Sequence, residues 1–226
     1  MRALQEELDD PAPTDCGRCS VCAGPRYDGP LDEVLVREAA LHLRSRPLIL
    51  EPKKMAPDAQ GAMKKIPEGV RVEEGRALAR LGDGGWDPLV RQGRRDGRFA
   101  DELVDAAAET VRSWGAPVAW VAAVPSRRSG ELVPDFARRL AERLGLPYAP
   151  VLERVGDSPP QREMANSQQQ VANVRGQFAV TGERPEGPCL LVDDIRFSGW
   201  TLAMVGGQLR GRGGGPVYPF ALATAF

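Results

Sequence analysis

The sequence predicts an α/β protein built on a mostly parallel sheet, and three observations carry that prediction. From Pro117 onward, apolar runs alternate with helical stretches: PVAWVAAVP, ELVPDFARRLAERLG, LPYAPVLE, GQFAV, PCLLVDD, WTLAMVGGQLRGRG and PVYPFALATAF. Strands separated by helices of this length favour parallel pairing with helices on both faces. The run Cys189 to Val192 is apolar at every position, which suits a strand covered on both sides. It ends in Asp193-Asp194, where ligands of such sheets bind, beyond the carboxyl ends of the strands. The chain has 226 residues, 42% hydrophobic and 27% charged, enough for one good core and a smaller module. No apolar run approaches the ~20 residues of a membrane span, and MRALQEELDD lacks the basic-then-apolar layout of a signal peptide. A cytoplasmic protein without membrane contact is expected.

In chain order, the linker AGPRYDGP precedes Leu31–Leu43, whose apolar residues recur at helical spacing. PLILEPKK reads as a short strand running into a lysine- and proline-rich loop that extends to about Gly69. Lys53, Lys54, Lys64 and Lys65 on that loop could rest on phosphates without reading sequence, or simply keep the loop soluble. Glu74 to Gly97 reads as two short helical pieces around a Gly-Asp-Gly-Gly-Trp turn, with Arg91, Arg94, Arg95 and Arg98 at helical spacing. Ala100 to Trp114 is an amphipathic helix opened by Asp101 and Glu102 and ended by Gly115. Residues 37–98 hold 14 basic and 9 acidic side chains, a modest basic block that marks either a DNA-contacting surface or an ordinary solvated face.

The stretch CLLVDDIRFSGWT, Cys189 to Thr201, is the richest in chemistry. Two carboxylates at a strand end can accept hydrogen bonds from vicinal hydroxyls. A glycine-containing turn at the start of a helix can hold an anion with backbone N–H groups. The plainer alternative is a buried strand that happens to end in Asp-Asp, with Ser198 or Thr201 capping the next helix. The stretch resembles the phosphoribosyl-pyrophosphate (PRPP) motif of type I phosphoribosyltransferases, an apolar run followed by Asp-Asp and a Thr/Ser-Gly-x-Thr loop. The resemblance implies that Asp193 and Asp194 meet the ribose hydroxyls, that Ser198, Gly199 and Thr201 hold the 5′-phosphate, and that Mg²⁺ accompanies PRPP. Arg196, Phe197 and Trp200 depart from the motif and put turnover, more than binding, in question.

Two more segments fit the same resemblance. Ser126, Arg127 and Arg128 follow a predicted strand at the position of the pyrophosphate loop, although two exposed loop arginines would look the same. The polar stretch Ser158 to Gly176 occupies the place of the flexible loop, and its ending, Asn-Val-Arg-Gly-x-Phe, is similar to the ComF-like branch. Gln161 and Arg162 become pyrophosphate contacts on that reading and plain surface residues on the other.

Cys16, Cys19 and Cys22 form two consecutive C-x-x-C spacings, which in a cytosolic chain favour soft-metal ligation over disulfides, with a redox or iron–sulfur role as the competing reading. A fourth ligand is missing locally: His42 lies in the predicted helix at 31–43, and Cys189 reads as a small core residue. The cluster resembles the zinc module of RecQ-family DNA helicases, in which a further cysteine precedes the triplet. That implies a partial zinc site and a C-terminal fragment of a longer RecQ-like polypeptide acting in DNA repair or recombination. The chain itself has no G-x-x-x-x-G-K-[ST] loop, so no helicase motor is expected in it.

The expected division is a partial zinc-binding segment at 1–28, a basic linker or DNA-binding module at 29–98, and a phosphoribosyltransferase-like domain at 99–226. Binding of PRPP or a related ribose phosphate is the expected function. An active transferase acting on a base or other nitrogen nucleophile is the alternative, and a domain used only for protein contacts is the blandest one.

Overall fold

The structure is a computed structural model that describes residues 2–8, 10–24, 29–46, 48–58, 60–126, 130–156, 171, 174, 176–211 and 213–225. They form two compact units, Met1–Glu38 and Ala39–Phe226.

The first unit opens with α1 (Arg2–Glu7), and the Gln5 side chain accepts the Thr14 N–H at 3.1 Å. The one-turn α2 (Ser20–Ala23) closes the cysteine loop, the N–H groups of Cys22 and Ala23 donating to the Cys19 carbonyl. Helix α3 (Glu33–Ser45) begins in this unit and ends in the next. Its start is fixed by the Asp32 carboxylate, which accepts the N–H groups of Val34 at 2.8 Å and Leu35 at 3.3 Å, as an N-cap does.

The second unit contains β1 (Leu48–Leu50), β2 (Met55–Pro57), β3 (Met63–Lys65), β4 (Gly75–Arg80), α4 (Asp87–Asp96), α5 (Asp101–Trp114), β5 (Trp120–Ala123), α6 (Leu132–Leu144), β6 (Leu152–Arg154), β7 (Phe178–Val180), β8 (Cys189–Arg196), α7 (Trp200–Gly211) and β9 (Val217–Thr224). Five strands make the central sheet in the order β1-β4-β9-β8-β5. Every pairing is parallel except the edge pair β1–β4, so the expected α/β class with a mostly parallel sheet is what forms. β2–β3 and β6–β7 are separate antiparallel hairpins.

The sheet is covered on both faces, as the continuous apolar strands require. Leu190, Val192, Phe220 and Leu222 pack with Val90 of α4, Leu103 and Val104 of α5, and Phe136 and Leu140 of α6. On the other face Leu191, Ala221 and Val217 meet Leu202, Val205 and Leu209 of α7. Cys189 is 1% exposed, a core residue as expected.

Three local expectations are corrected. Glu74 to Arg80 is not helical: Gly75–Arg80 is a central strand between β1 and β9. Its small residues make this possible, since a Cβ on Gly75 would come within 2.5 Å of the Pro219 carbonyl oxygen, while Ala77 and Ala79 are buried. Residues 53–69 are not one open loop, because Asp58 Oδ1 accepts the N–H groups of Gln60 and Ala62, both at 3.0 Å, and closes the β2–β3 turn. Finally, β8 does not stop at the aspartates but continues to Arg196. The segment 29–98 therefore supplies β1 and β4 to the same sheet as the strands that follow.

Candidate functional site

β5 accompanies β8 only as far as Val192, which pairs with Ala123 and accepts the Val124 N–H at 2.8 Å. β9 continues beside β8 to the pair Arg196–Thr224. From Asp193 to Arg196 the strand is thus flanked by β9 but no longer by β5. Ser126 stands three residues beyond β5 and bridges to Gly130. Arg127 and Arg128, like Gln161 and Arg162, lie outside the described residues.

Successive side chains of a strand point to opposite faces. Asp194 meets α4, where Arg94 Nε lies 3.2 Å from its Oδ2, while its Oδ1 accepts the Ile195 N–H at 2.7 Å. Asp193 Oδ1 accepts the Asp194 N–H at 2.9 Å. Burial pushes the Asp193 carboxyl well above the usual carboxylate range, and the neighbouring Asp194 charge adds to the rise. A group in this condition gains from any hydrogen-bond donor or cation brought against it. A pair of carboxylates offering free lone pairs also fits the oxygen-loving Mg²⁺ that accompanies a pyrophosphate.

The loop after β8 turns at Gly199, which has φ +80°, a conformation that excludes most side chains. A Cβ there would also lie 2.9 Å from Arg196 Nε, so the Arg196 guanidinium folds back over the loop. Arg196 Nη1 donates to Thr224 Oγ1 at 3.3 Å. Ala203 donates to the Gly199 carbonyl at 3.0 Å, so the N–H groups just before it are the free donors of a helix start. The Ser198 hydroxyl oxygen is buried with no hydrogen-bond partner among the described residues. Ser198 therefore does not cap α7, and a buried hydroxyl left unpaired costs ~1–3 kcal/mol. Thr201 occupies the first turn of α7.

The four lysines do not act alike. Lys64 Nζ lies 3.0 Å from Asp58 Oδ2 and Lys65 Nζ 3.9 Å from Glu68 Oε1, both exposed on β3. Lys54 contributes its carbonyl to the Ile66 N–H at 2.9 Å. Lys53 leaves that group altogether, and its ammonium stands 5.0 Å over the ring of the buried Trp200, at the phosphate-loop end of α7. Arginines of α4 and just beyond it are similarly engaged, Arg91 with Asp87 at 2.7 Å and Arg98 with Asp135 at 3.2 Å. Sequence reasoning placed Arg94 on a helix face without connecting it to Asp194, and grouped Lys53 with its lysine neighbours. Helical spacing puts Arg94 on one face with its arginine neighbours, but no local pattern signals either contact.

In the first unit the three thiols of Cys16, Cys19 and Cys22 converge, their Sγ atoms all within 4.8 Å of one another. Cys22 Sγ lies 3.4 Å from Cys19 Sγ and 3.9 Å from Cys16 Sγ. Thiolates ~2.3 Å from one zinc ion stand ~3.8 Å apart, so the donor set fits that ion. Asp15 Oδ1 is 3.6 Å from Cys22 Sγ and adds an oxygen beside the cluster. Hydrogen bonds from the Cys22 backbone and thiol lower the Cys19 thiol to about 6, while its bond to Cys19 raises Cys22. His42 is exposed on α3.

No protein-family model matches the chain, and no curated protein matches its sequence. Among solved structures the chain is similar to adenine phosphoribosyltransferase from Saccharomyces cerevisiae, at 15% identity and a TM-score of 0.40, over 83% of this chain and 89% of that one. It is also similar to orotate phosphoribosyltransferase from Aeropyrum pernix, at 19% identity and a TM-score of 0.36, over 84% of this chain and 79% of that one. Among the described residues no helix is long and apolar enough to cross a membrane.

Proposed function

We propose that the chain binds PRPP or a related ribose phosphate at the end of β8. One juxtaposition carries the reading: paired aspartates followed at once by a glycine turn, a buried unpartnered Ser198 hydroxyl and the start of α7. Asp193 and Asp194 accept hydrogen bonds from the vicinal ribose hydroxyls, which supply the donors that the Asp193 carboxyl lacks. Ser198, the Gly199 turn and Thr201 surround the phosphate, whose oxygens give Ser198 its missing partner. Ser126, three residues beyond β5, stands on the pyrophosphate side in this reading. Mg²⁺ neutralises the pyrophosphate when PRPP is bound. Arg94 holds Asp194 in place and competes for its Oδ2, so this ion pair sets the orientation of the second carboxylate.

The zinc reading belongs to the first unit, where Cys16, Cys19 and Cys22 supply three thiolates to a structural ion. Attachment of this unit to a RecQ-like helicase, and with it DNA repair, rests on the cysteine spacing, and DNA binding on that spacing and the modest basic block at 37–98.

Calorimetric titration of the full chain with PRPP and Mg²⁺ tests the main reading. Binding by the wild type, and its loss in Asp193→Asn/Asp194→Asn, is expected; equal binding by the two proteins overturns the assignment of the aspartates. Release of pyrophosphate when nucleobases are added to the same mixture would extend the reading from binding to transfer.

A further inference from the structure

The ribose-phosphate reading leaves open which phosphate the loop accepts, and the charges around it bear on that; the inference rests on that reading. Two cations converge on the loop from different parts of the chain. Arg196, at the end of β8, packs its guanidinium on Gly199, and Lys53, from the segment after β1, stands 5.0 Å over the Trp200 ring. Neither is ion-paired to a carboxylate among the described residues, whereas Lys64, Lys65, Arg91, Arg94 and Arg98 each are. The helix behind them opens with no acidic residue in its first turn, so nothing on α7 offsets its positive end. The Ser198 hydroxyl, buried and without a partner, sits in the same loop.

We propose that Lys53 and Arg196, with Ser198 and the first turn of α7, clamp a doubly charged phosphomonoester, the terminal phosphate of a sugar phosphate, and discriminate against phosphodiesters. Like charges brought together in a partly desolvated place oppose one another. Burial lowers the Lys53 ammonium and the Arg196 charge lowers it further, while burial lowers Arg196. An anion between them relieves both effects and forms charge-assisted hydrogen bonds. A phosphomonoester supplies two charges and three free oxygens. A diester supplies one charge, and its second ester group takes the place of a free oxygen. Lys53 is then a specificity-determining residue of the phosphate loop.

Full-length protein is titrated with ribose 5-phosphate, methyl phosphate and dimethyl phosphate, with melting followed in parallel. Ribose 5-phosphate and methyl phosphate bind, and dimethyl phosphate binds at least tenfold more weakly. Lys53→Met and Arg196→Gln each weaken ribose 5-phosphate on the order of tenfold, a loss of ~1.4 kcal/mol, and Lys53→Arg restores most of it. Lys53→Met keeps a cooperative melt of the free protein within a few degrees of wild type, which shows that the variant folds. Unchanged ribose 5-phosphate affinity in Lys53→Met, or equal affinity for the two methyl esters, overturns the clamp. The ribose reading is judged separately: Asp193→Asn/Asp194→Asn should erase the preference for ribose 5-phosphate over methyl phosphate while leaving methyl phosphate binding intact. Failure of that arm alone sinks the ribose assignment, and binding of no phosphate by the wild type overturns both.

Discussion

At the scale of single residues, Asp193 shows function set against stability. Its carboxyl is raised by burial and by Asp194. For a group raised on folding, the stabilising contribution is complete below the ordinary carboxyl value and is lost as pH rises through the folded-state value. At neutral pH Asp193 therefore costs the fold stability, and Asp193→Asn, which stays neutral, should stabilise the ligand-free chain on the order of 1 kcal/mol. The gain should fade below pH ~4, where the wild-type carboxyl is protonated in both states. Denaturant melts at pH 7.5 and pH 4 check this, and destabilisation by Asn at both would contradict it. The same substitution should weaken ribose 5-phosphate toward the affinity of methyl phosphate. Asp193, Asp194, Ser198 and Gly199 could be found in the sequence because one continuous stretch of chain holds them. Arg94 and Lys53 could not, since their neighbours at the site lie 100 and more residues away in sequence.

At the scale of elements, β4 marks where local preference misleads. Ala, Leu and Arg in GRALAR favour helix when isolated, yet small residues are what a strand between β1 and β9 needs. Gly75→Val should therefore cost on the order of 3 kcal/mol through overpacking against Pro219; a denaturation midpoint close to that of wild type would show that the edge yields easily. The strand–helix alternation after Pro117 was legible because covered strands and amphipathic helices carry different periods. The β2–β3 hairpin was not, because its lysines and prolines read as loop and its closure depends on the Asp58 turn. The cysteine loop gives a second test. The Cys19 thiol is lowered to about 6, so the stability it contributes is present above the ordinary thiol value and is lost as pH falls through about 6. Since zinc binds thiolates, zinc affinity in a chelator competition should be high at pH 7.5 and fall steeply below pH 6. Cys19→Ser should weaken it at both values, and a pH-independent affinity would argue against thiolate ligation.

At the scale of the whole molecule, the parallel sheet gathers its site from strands far apart in sequence, so ligand binding should be felt by the entire second unit. β8 carries the aspartates, β9 pairs beside them, and α7 covers the opposite face, its first turn following directly on the loop proposed to hold the phosphate. Opening any of these elements removes part of the binding site, so a ligand of the native state opposes all such openings together. A ligand at 100 times its dissociation constant stabilises by ~2.7 kcal/mol. Ribose 5-phosphate at that excess should raise the melting temperature of the full chain by several degrees and slow hydrogen exchange along β8, β9 and α7 in concert. In Asp193→Asn/Asp194→Asn with Lys53→Met the shift should vanish, while the free protein still melts cooperatively. Protection confined to the loop at Ser198 to Thr201, with the strands exchanging as before, would mean that the anion is held by the loop alone and that the sheet does not take part.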